Sequence, residues 1–506
     1  MRRGAVAMLL ASLAAPVAAD DYRDATIRVI SAPDCVDGAN FVAESDPAPR
    51  NATFMRVQHI GDPGTDELAG QVRNVVTWDV GQASGLSLAP STFVQTQRGY
   101  RDFGLPEPAS AFQLACNGAG FVINSRRFSH SVAVVLEGPS ASIARELEPA
   151  APVFGNATSA LTIEATIRVP YMRVDAPPFV DGTAQVSFVY YVRDVTTGTV
   201  FPHVIQLFDN RLAGVNGAGT EAVSADVNSP FVVSPLSFAT ADGEPTQYVS
   251  AAPDSALLQY VSPWTEARTF RVQVSYARFK ALLARLIRDA LPGISPRPED
   301  YRVALFGVLG EIFPGTGTSH EVALGASVVD MRLVEAFYDI APVTVVEFYN
   351  ASLDHYFISA RADDIAALDS GRLPGWTRTG ASFGAYPAFV AGTQPVCRFY
   401  LPPAWGDSHF FSASREECRA VATRFAQFVL EDPEVMYAAL PDVQTGTCPT
   451  DTMPAYRLWN ARSATNHRYV TDRAIRDVMV AAGWIPEGYG DLGVALCAPR
   501  ATAAAG

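Results

Sequence analysis

Lysine is nearly missing from this 506-residue chain: Lys280 is the only one among 38 basic residues. Because acidic residues number 52, the formal charge is −14. That charge repels a phosphate backbone, and no basic run interleaved with aromatics offsets it locally, so nucleic acid is not an expected partner. The arginine bias reads as gene base composition and carries no functional meaning. Long apolar runs are also lacking: after the N-terminus nothing reaches the roughly 18 residues that cross a bilayer, and no membrane span is expected. Cysteine is scarce and never spaced as CxxC, the arrangement that favours zinc or a redox dithiol.

What is present begins with MRRGAVAMLLASLAAPVAAD. Arg2 and Arg3 precede an apolar run from Ala5 to Leu13 and small residues around Ala19, the layout of a secretory signal peptide over residues 1–19. A secreted protein, extracellular or periplasmic, works where thiols oxidise. The six cysteines, Cys35, Cys116, Cys397, Cys418, Cys448 and Cys497, therefore read as three disulfides. Fifteen pairings are possible. Clustering favours Cys35 with Cys116, and the simplest choice for the rest is Cys397 with Cys418 and Cys448 with Cys497.

From residue 20 to 341 the dominant period is two. In LTIEATIRVP, Leu161, Ile163, Ala165, Ile167 and Val169 alternate with Thr162, Glu164, Thr166 and Arg168, which is a half-buried strand. Runs from Thr183, Arg268 and Ala326 read alike, so this region is expected to be an antiparallel, jelly-roll-like β-sandwich. One helix interrupts it, with Phe279, Leu282, Leu283, Leu286 and Ile287 on one stripe before Pro292 and Gly293. Its length and strand pattern weakly resemble the concanavalin-like folds of glycan-binding and glycan-cleaving proteins. The ExDxxE signature of laminarinase-like glycosidases is missing, as is the Gln-Ile-His strand of jelly-roll alginate lyases. His203, Gln206 and Glu311 are polar residues within apolar runs, and the structural reading of each is that it finds a buried partner.

Residues 342–500 change character. Three units, about 343–393, 394–447 and 448–499, each run strand, histidine strand, helix and aromatic strand. Their openings are VEFYN, CRFYL and YRLWN; their histidines lie in LDHYFISA, DSHFFSA and TNHRYVTD. Each unit is too small to stand alone, so a pseudo-threefold, β-trefoil-like closure is expected. The fold class is thus mainly β, with residues 501–506 as a disordered tail. VVEFYNASLDHYF, PVCRFY, GWTRTGASF, YRLWN, NHRYVTD and GWIPEGYG resemble a repeat family of unknown function in secreted bacterial and fungal proteins, often appended to hydrolases. The second unit departs by placing Phe428 where the others have Gly-Trp. The resemblance implies an accessory module.

Strand parity selects the candidate ligand contacts. Phe348, Phe399 and Leu458 should point into the core, whereas Tyr349, Tyr400 and Trp459 share a face with Glu347, Arg398 and Arg457. A wet face with an aromatic beside a charge suits a sugar ring and its hydroxyls. His355, His409 and His467 are second candidates: converging imidazoles would suit zinc, but equivalent repeat residues read better as packing, so no metal and no cofactor are expected. Trp376 and Trp484 read as core. The leading expectation is a secreted, non-catalytic protein whose repeats recognise extracellular glycan or cell-wall material. One rival is a polysaccharide hydrolase or lyase with the sandwich as catalytic domain; another is a structural surface protein. Oligomeric state is left open.

Overall fold

The computed structural model describes residues 22, 24–31, 154–174, 182–211, 264–313 and 322–500, strand backbones between 40 and 137, and short stretches between 221 and 255. The signal segment 1–19, Cys35, Cys116 and the tail 501–506 lie outside the described residues. The chain is mainly β and divides into two compact units, the second comprising Gly155–Thr158 and the chain from Tyr338 onward.

The first unit contains two nine-stranded sheets. In one, Ala160–Val174 lies between Trp264–Ser275 and Val322–Phe337. In the other, Thr183–Asp194 lies between Val200–Asp209 and Tyr301–Phe313. Among the described strands pairing is antiparallel except where Val232–Pro235 runs parallel to Val200–Asp209. Alternation accounts for the core: Leu161, Ile163, Ala165, Ile167 and Val169 are all buried, while Glu164 and Thr166 are half-buried and Arg168 is exposed. The two sheets touch through Tyr301–Phe313 and Val322–Phe337. The helix Tyr276–Asp289 begins where Ser275 Oγ accepts from the Arg278 amide, an N-cap that satisfies an otherwise unpaired donor. Phe279, Leu282, Leu283 and Leu286 are buried, with Ile287 half-buried at the margin of the stripe.

The second unit has three successive strand, strand, helix, strand segments. The first comprises Val343–Asn350, His355–Ser359, the helix Ala362–Asp369 and Trp376–Ala385. The second comprises Thr393–Leu401, Ser408–Ser412, the helix Arg415–Arg424 and Val429–Ala439. The third comprises Thr452–Trp459, His467–Val470, the helix Arg473–Ala481, Ile485–Glu487 and Val494–Pro499. All three contribute to one apolar core: Val345 and Ile358, Val396 and Phe411, Tyr469 and Leu496. Tyr469 Oη ties two segments by donating to the Phe411 carbonyl at 2.8 Å and accepting from the Phe411 amide at 2.8 Å. Disulfides join Cys397 to Cys418 and Cys448 to Cys497. Among the described residues no helix is long and apolar enough to cross a membrane, which says nothing of a β-barrel.

Candidate functional site

Hairpin register fixes which residues correspond. Tyr349 pairs with Tyr356, Tyr400 with His409, and Trp459 with His467. His409 and His467 therefore correspond to Tyr356, and His355 corresponds to Ser408 and Asn466. The three-histidine alignment is corrected by one position, because a one-residue change of register turns a side chain to the opposite face. His355, Ser408 and Asn466 are buried. Asn466 Nδ2 donates to Ser408 Oγ at 3.2 Å and clasps the Tyr356 backbone through both amide atoms. His355 Nδ1 lies 3.3 Å from the Asp407 carbonyl and donates to it, and its Nε2 is buried without a partner among the described residues.

The second correction concerns the charged neighbours. Glu347, Arg398 and Arg457 do not lie on a wet face; they are 2%, 8% and 4% exposed. A buried charge needs an opposite charge, and each finds one in the adjoining segment. Arg398 Nη1 donates to Asp364 Oδ2 of the first segment at 2.6 Å, and its Nε lies 2.9 Å from Glu431 Oε2. Arg457 grips Glu417 of the second segment with Nη1 at 2.9 Å and Nη2 at 2.6 Å, and its Nε lies 3.3 Å from Glu487. At the third junction the polarity reverses: Glu347 of the first segment receives Arg468 of the third at 2.8 and 2.9 Å, with Thr379 Oγ1 donating at 2.7 Å. Aromatic contacts follow the same cycle. Phe357 packs on His409 at 4.7 Å, Phe410 on His467 at 5.3 Å, and the Arg468 guanidinium lies 4.0 Å over Tyr356.

The first of these junctions holds a cavity of about 320 Å³, at the small end of the roughly 300–1,000 Å³ seen for ligand pockets. Phe357, Trp376 and Tyr400 provide aromatic surface, Leu368 and Leu373 aliphatic surface, and Asp364, Arg398, His409 and Glu431 the polar groups. Ser359 Oγ donates to Asp364 Oδ2 at 2.7 Å and holds it at the start of its helix. His409 Nε2 lies 3.2 Å from Glu431 Oε2. Burial opposes the charge on Glu431, but the His409 hydrogen bond and the His409 and Arg398 charges outweigh it and hold the carboxyl below its usual range. Tyr400 is pushed up to about 12, by burial and by its hydrogen bond to Asp407.

Of the residues singled out from sequence, Tyr400, Arg398 and His409 meet at this cavity. Trp459, Arg457 and His467 belong to the next junction, where the side chain of His467 is 9% exposed against 24% for His409. Tyr349 lies apart, donating to Asp354 at 2.9 Å and packing on Tyr356 at 4.7 Å. Trp376, which reads as core, is half-buried and lines the cavity. Asp364 and Glu431 were not legible as site residues. Their signals were an acid in the first helical turn and a glutamate three residues after the aromatic that opens the last strand. Among the described residues no His, Cys, Asp and Glu group of three or more is arranged to hold a metal ion.

Two polar systems of the sandwich include the residues singled out from sequence. Tyr190 Oη, His203 and Ser234 form a buried chain with links of 2.7 and 2.8 Å, and burial pushes His203 down to about 3. On the other face of the same sheet, Gln185 Nε2 donates to Glu311 at 2.7 Å, Gln206 Nε2 donates to Gln185 Oε1 at 2.6 Å and to Asp209 at 3.0 Å, and Arg211 pairs with Asp209 at 2.6 Å. Withdrawal from water raises Glu311 to about 7. Ser187 Oγ, on this face and 1% exposed, has no partner among the described residues.

Comparison with known proteins gives one domain match. Residues 334–438 match DUF5648, a domain of unknown function. No curated protein matches the chain. Solved structures that are similar include the family 11 xylanase from Neocallimastix patriciarum, 9% identical with a TM-score of 0.16, and a loop-swap mutant of Xyn11A from that organism, 8% identical with a TM-score of 0.16. Each covers 60% of this chain and 94% of its own. At those TM-scores neither bears on this chain's fold or chemistry.

Proposed function

We propose that residues 342–500 form a carbohydrate-recognition module of a secreted protein and that the cavity between the first and second segments receives one sugar residue of an extracellular glycan. The observation that carries this reading is the lining itself. Three aromatic rings and aliphatic surface suit the C–H faces of a pyranose, and Asp364, His409 and Glu431 are placed to meet its hydroxyls. A pull-down of the full chain on peptidoglycan and a glycan array provides the test. Retention should fall roughly tenfold in Trp376→Ala and in Tyr400→Ala and stay unchanged in Trp459→Ala. No retention of the intact protein, or equal retention of all three variants, overturns the assignment.

A second reading, hydrolysis of a glycan by the sandwich, is favoured by Glu311. A carboxyl that titrates near neutrality suits a general acid, and the Gln185, Gln206 and Asp209 chain holds it in place. Glu311→Gln should abolish release of reducing sugar from any polysaccharide the protein cleaves; unaffected cleavage rules this assignment out.

A further inference from the structure

The two carboxylates lining the cavity are incompletely used. Asp364 takes Arg398 and Ser359 on Oδ2, and Glu431 takes Arg398 and His409 on Oε2. Among the described residues Asp364 Oδ1 and Glu431 Oε1 accept no hydrogen bond. An ionised carboxylate only accepts, so a ligand entering the cavity meets two oxygens able to take its donors in place of water. Charge points the same way. The lining has two carboxylates, the Arg398 guanidinium and the His409 imidazole, and Arg398 and His409 already lie against the acids. An anionic ligand would find no available cation, whereas an ammonium brings three donors and the compensating charge. Trp376 and Phe357 add ring faces that attract a cation.

Resting on the carbohydrate reading above, we propose that the cavity selects an amino sugar, a 2-amino-2-deoxyhexose with its amine free, over the N-acetylated or neutral hexose, and excludes uronates. The charged end of the ligand lies against Asp364 Oδ1 and Glu431 Oε1, and its ring against the Leu368, Leu373 and Trp376 wall. The ring is what separates this ligand from other primary amines. A lysine side chain offers the same ammonium on a flexible stem and leaves the aromatic wall unfilled.

Calorimetric titration of the full-length protein tests this with five probes: a glucosamine tetramer, an N-acetylglucosamine tetramer, cellotetraose, a galacturonate tetramer and Nα-acetyl-lysine amide. The glucosamine tetramer should bind at least roughly tenfold tighter than either uncharged tetramer, since a charge-assisted hydrogen bond of about that strength is at stake. The galacturonate tetramer should not bind. Asp364→Asn with Glu431→Gln should bring the three non-acidic tetramers to similar affinity. Should that variant not fold, added salt serves instead: it should weaken wild-type binding of the glucosamine tetramer and leave cellotetraose unchanged. Equal binding of charged and uncharged tetramers overturns the amine preference and leaves carbohydrate recognition standing. Binding of no tetramer overturns both. Acetyl-lysine amide as tight as the glucosamine tetramer shows that the amine alone is read, and overturns the sugar.

Discussion

The first and second junctions of the C-terminal unit are built from nearly the same parts. Phe357, Asp364, Leu368, Trp376, Arg398, Tyr400, His409 and Glu431 at one correspond to Phe410, Glu417, Val421, Phe428, Arg457, Trp459, His467 and Glu487 at the other. One contains a cavity; at the other the arginine side chain is 5% exposed and the histidine 9%. A single methylene separates the two acids that reach across. Glu417 is long enough to take Arg457 on two nitrogens, while Asp364 reaches only Nη1 of Arg398. The longer acid holds its arginine by one more hydrogen bond. Nearly the same parts thus grip the arginine with two nitrogens at one junction and with one at the junction that holds the cavity.

The largest way to break this comparison is to remove each arginine. Arg457→Met should cost about 3 kcal/mol, because it removes both hydrogen bonds by which a guanidinium holds Glu417 and leaves that acid with Ser412 alone, whereas Arg398→Met should cost about 1 kcal/mol, since Asp364 loses a single hydrogen bond and Glu431 keeps His409. Urea unfolding of the two variants measures the difference, and equal losses would refute the distinction. Next is the reversed junction. Glu347→Arg sets two cations together and should cost about 3 kcal/mol, and adding Arg468→Glu should restore at least half. A double variant no better than the single would show that polarity is not what holds the third junction.

Exchanging the acids sharpens the argument. Asp364→Glu should fill the cavity and weaken glycan retention roughly tenfold, while Glu417→Asp should cost about 1 kcal/mol and open the second junction. Retention unaffected by Asp364→Glu would sink the role given to reach. The smallest effect is a pH dependence. Burial outweighs the neighbouring Glu487 and holds His467 below its usual range, so between that depressed value and about 6.5 the unfolded chain takes up a proton that the folded chain refuses. Stability is therefore lost as pH falls through this window, and His467→Gln should flatten that slope in thermal melts between pH 7 and 5. An unchanged slope would mean that the second junction does not sense acid through His467.

Much of this was legible in the sequence because it is local. Period-two alternation marked Leu161 to Val169, the stripe marked Phe279 to Leu286, and cysteine spacing marked both disulfides of the second unit. Strand parity placed Phe348, Phe399 and Leu458 inside. The misreadings are all non-local. Hairpin loops of unequal length join Asn350 to His355, Leu401 to Ser408 and Trp459 to His467, so three shared histidine letters disguised a slip in register. Glu347, Arg398 and Arg457 look like surface residues until the partner supplied by the neighbouring segment is known.

The reversed charge at the third junction gives the unit a fixed cyclic order. Asp364 faces Arg398, Glu417 faces Arg457, and Arg468 faces Glu347, so each segment is keyed to one successor. Circular permutation that starts the unit at its second segment would leave all three matches intact. Transposing the second and third segments would set Glu417 against Glu347 and leave Arg398 facing Ile475. The same residues that brace the unit thus encode its sequence order, and permuted chains should melt near the parent while transposed ones do not fold.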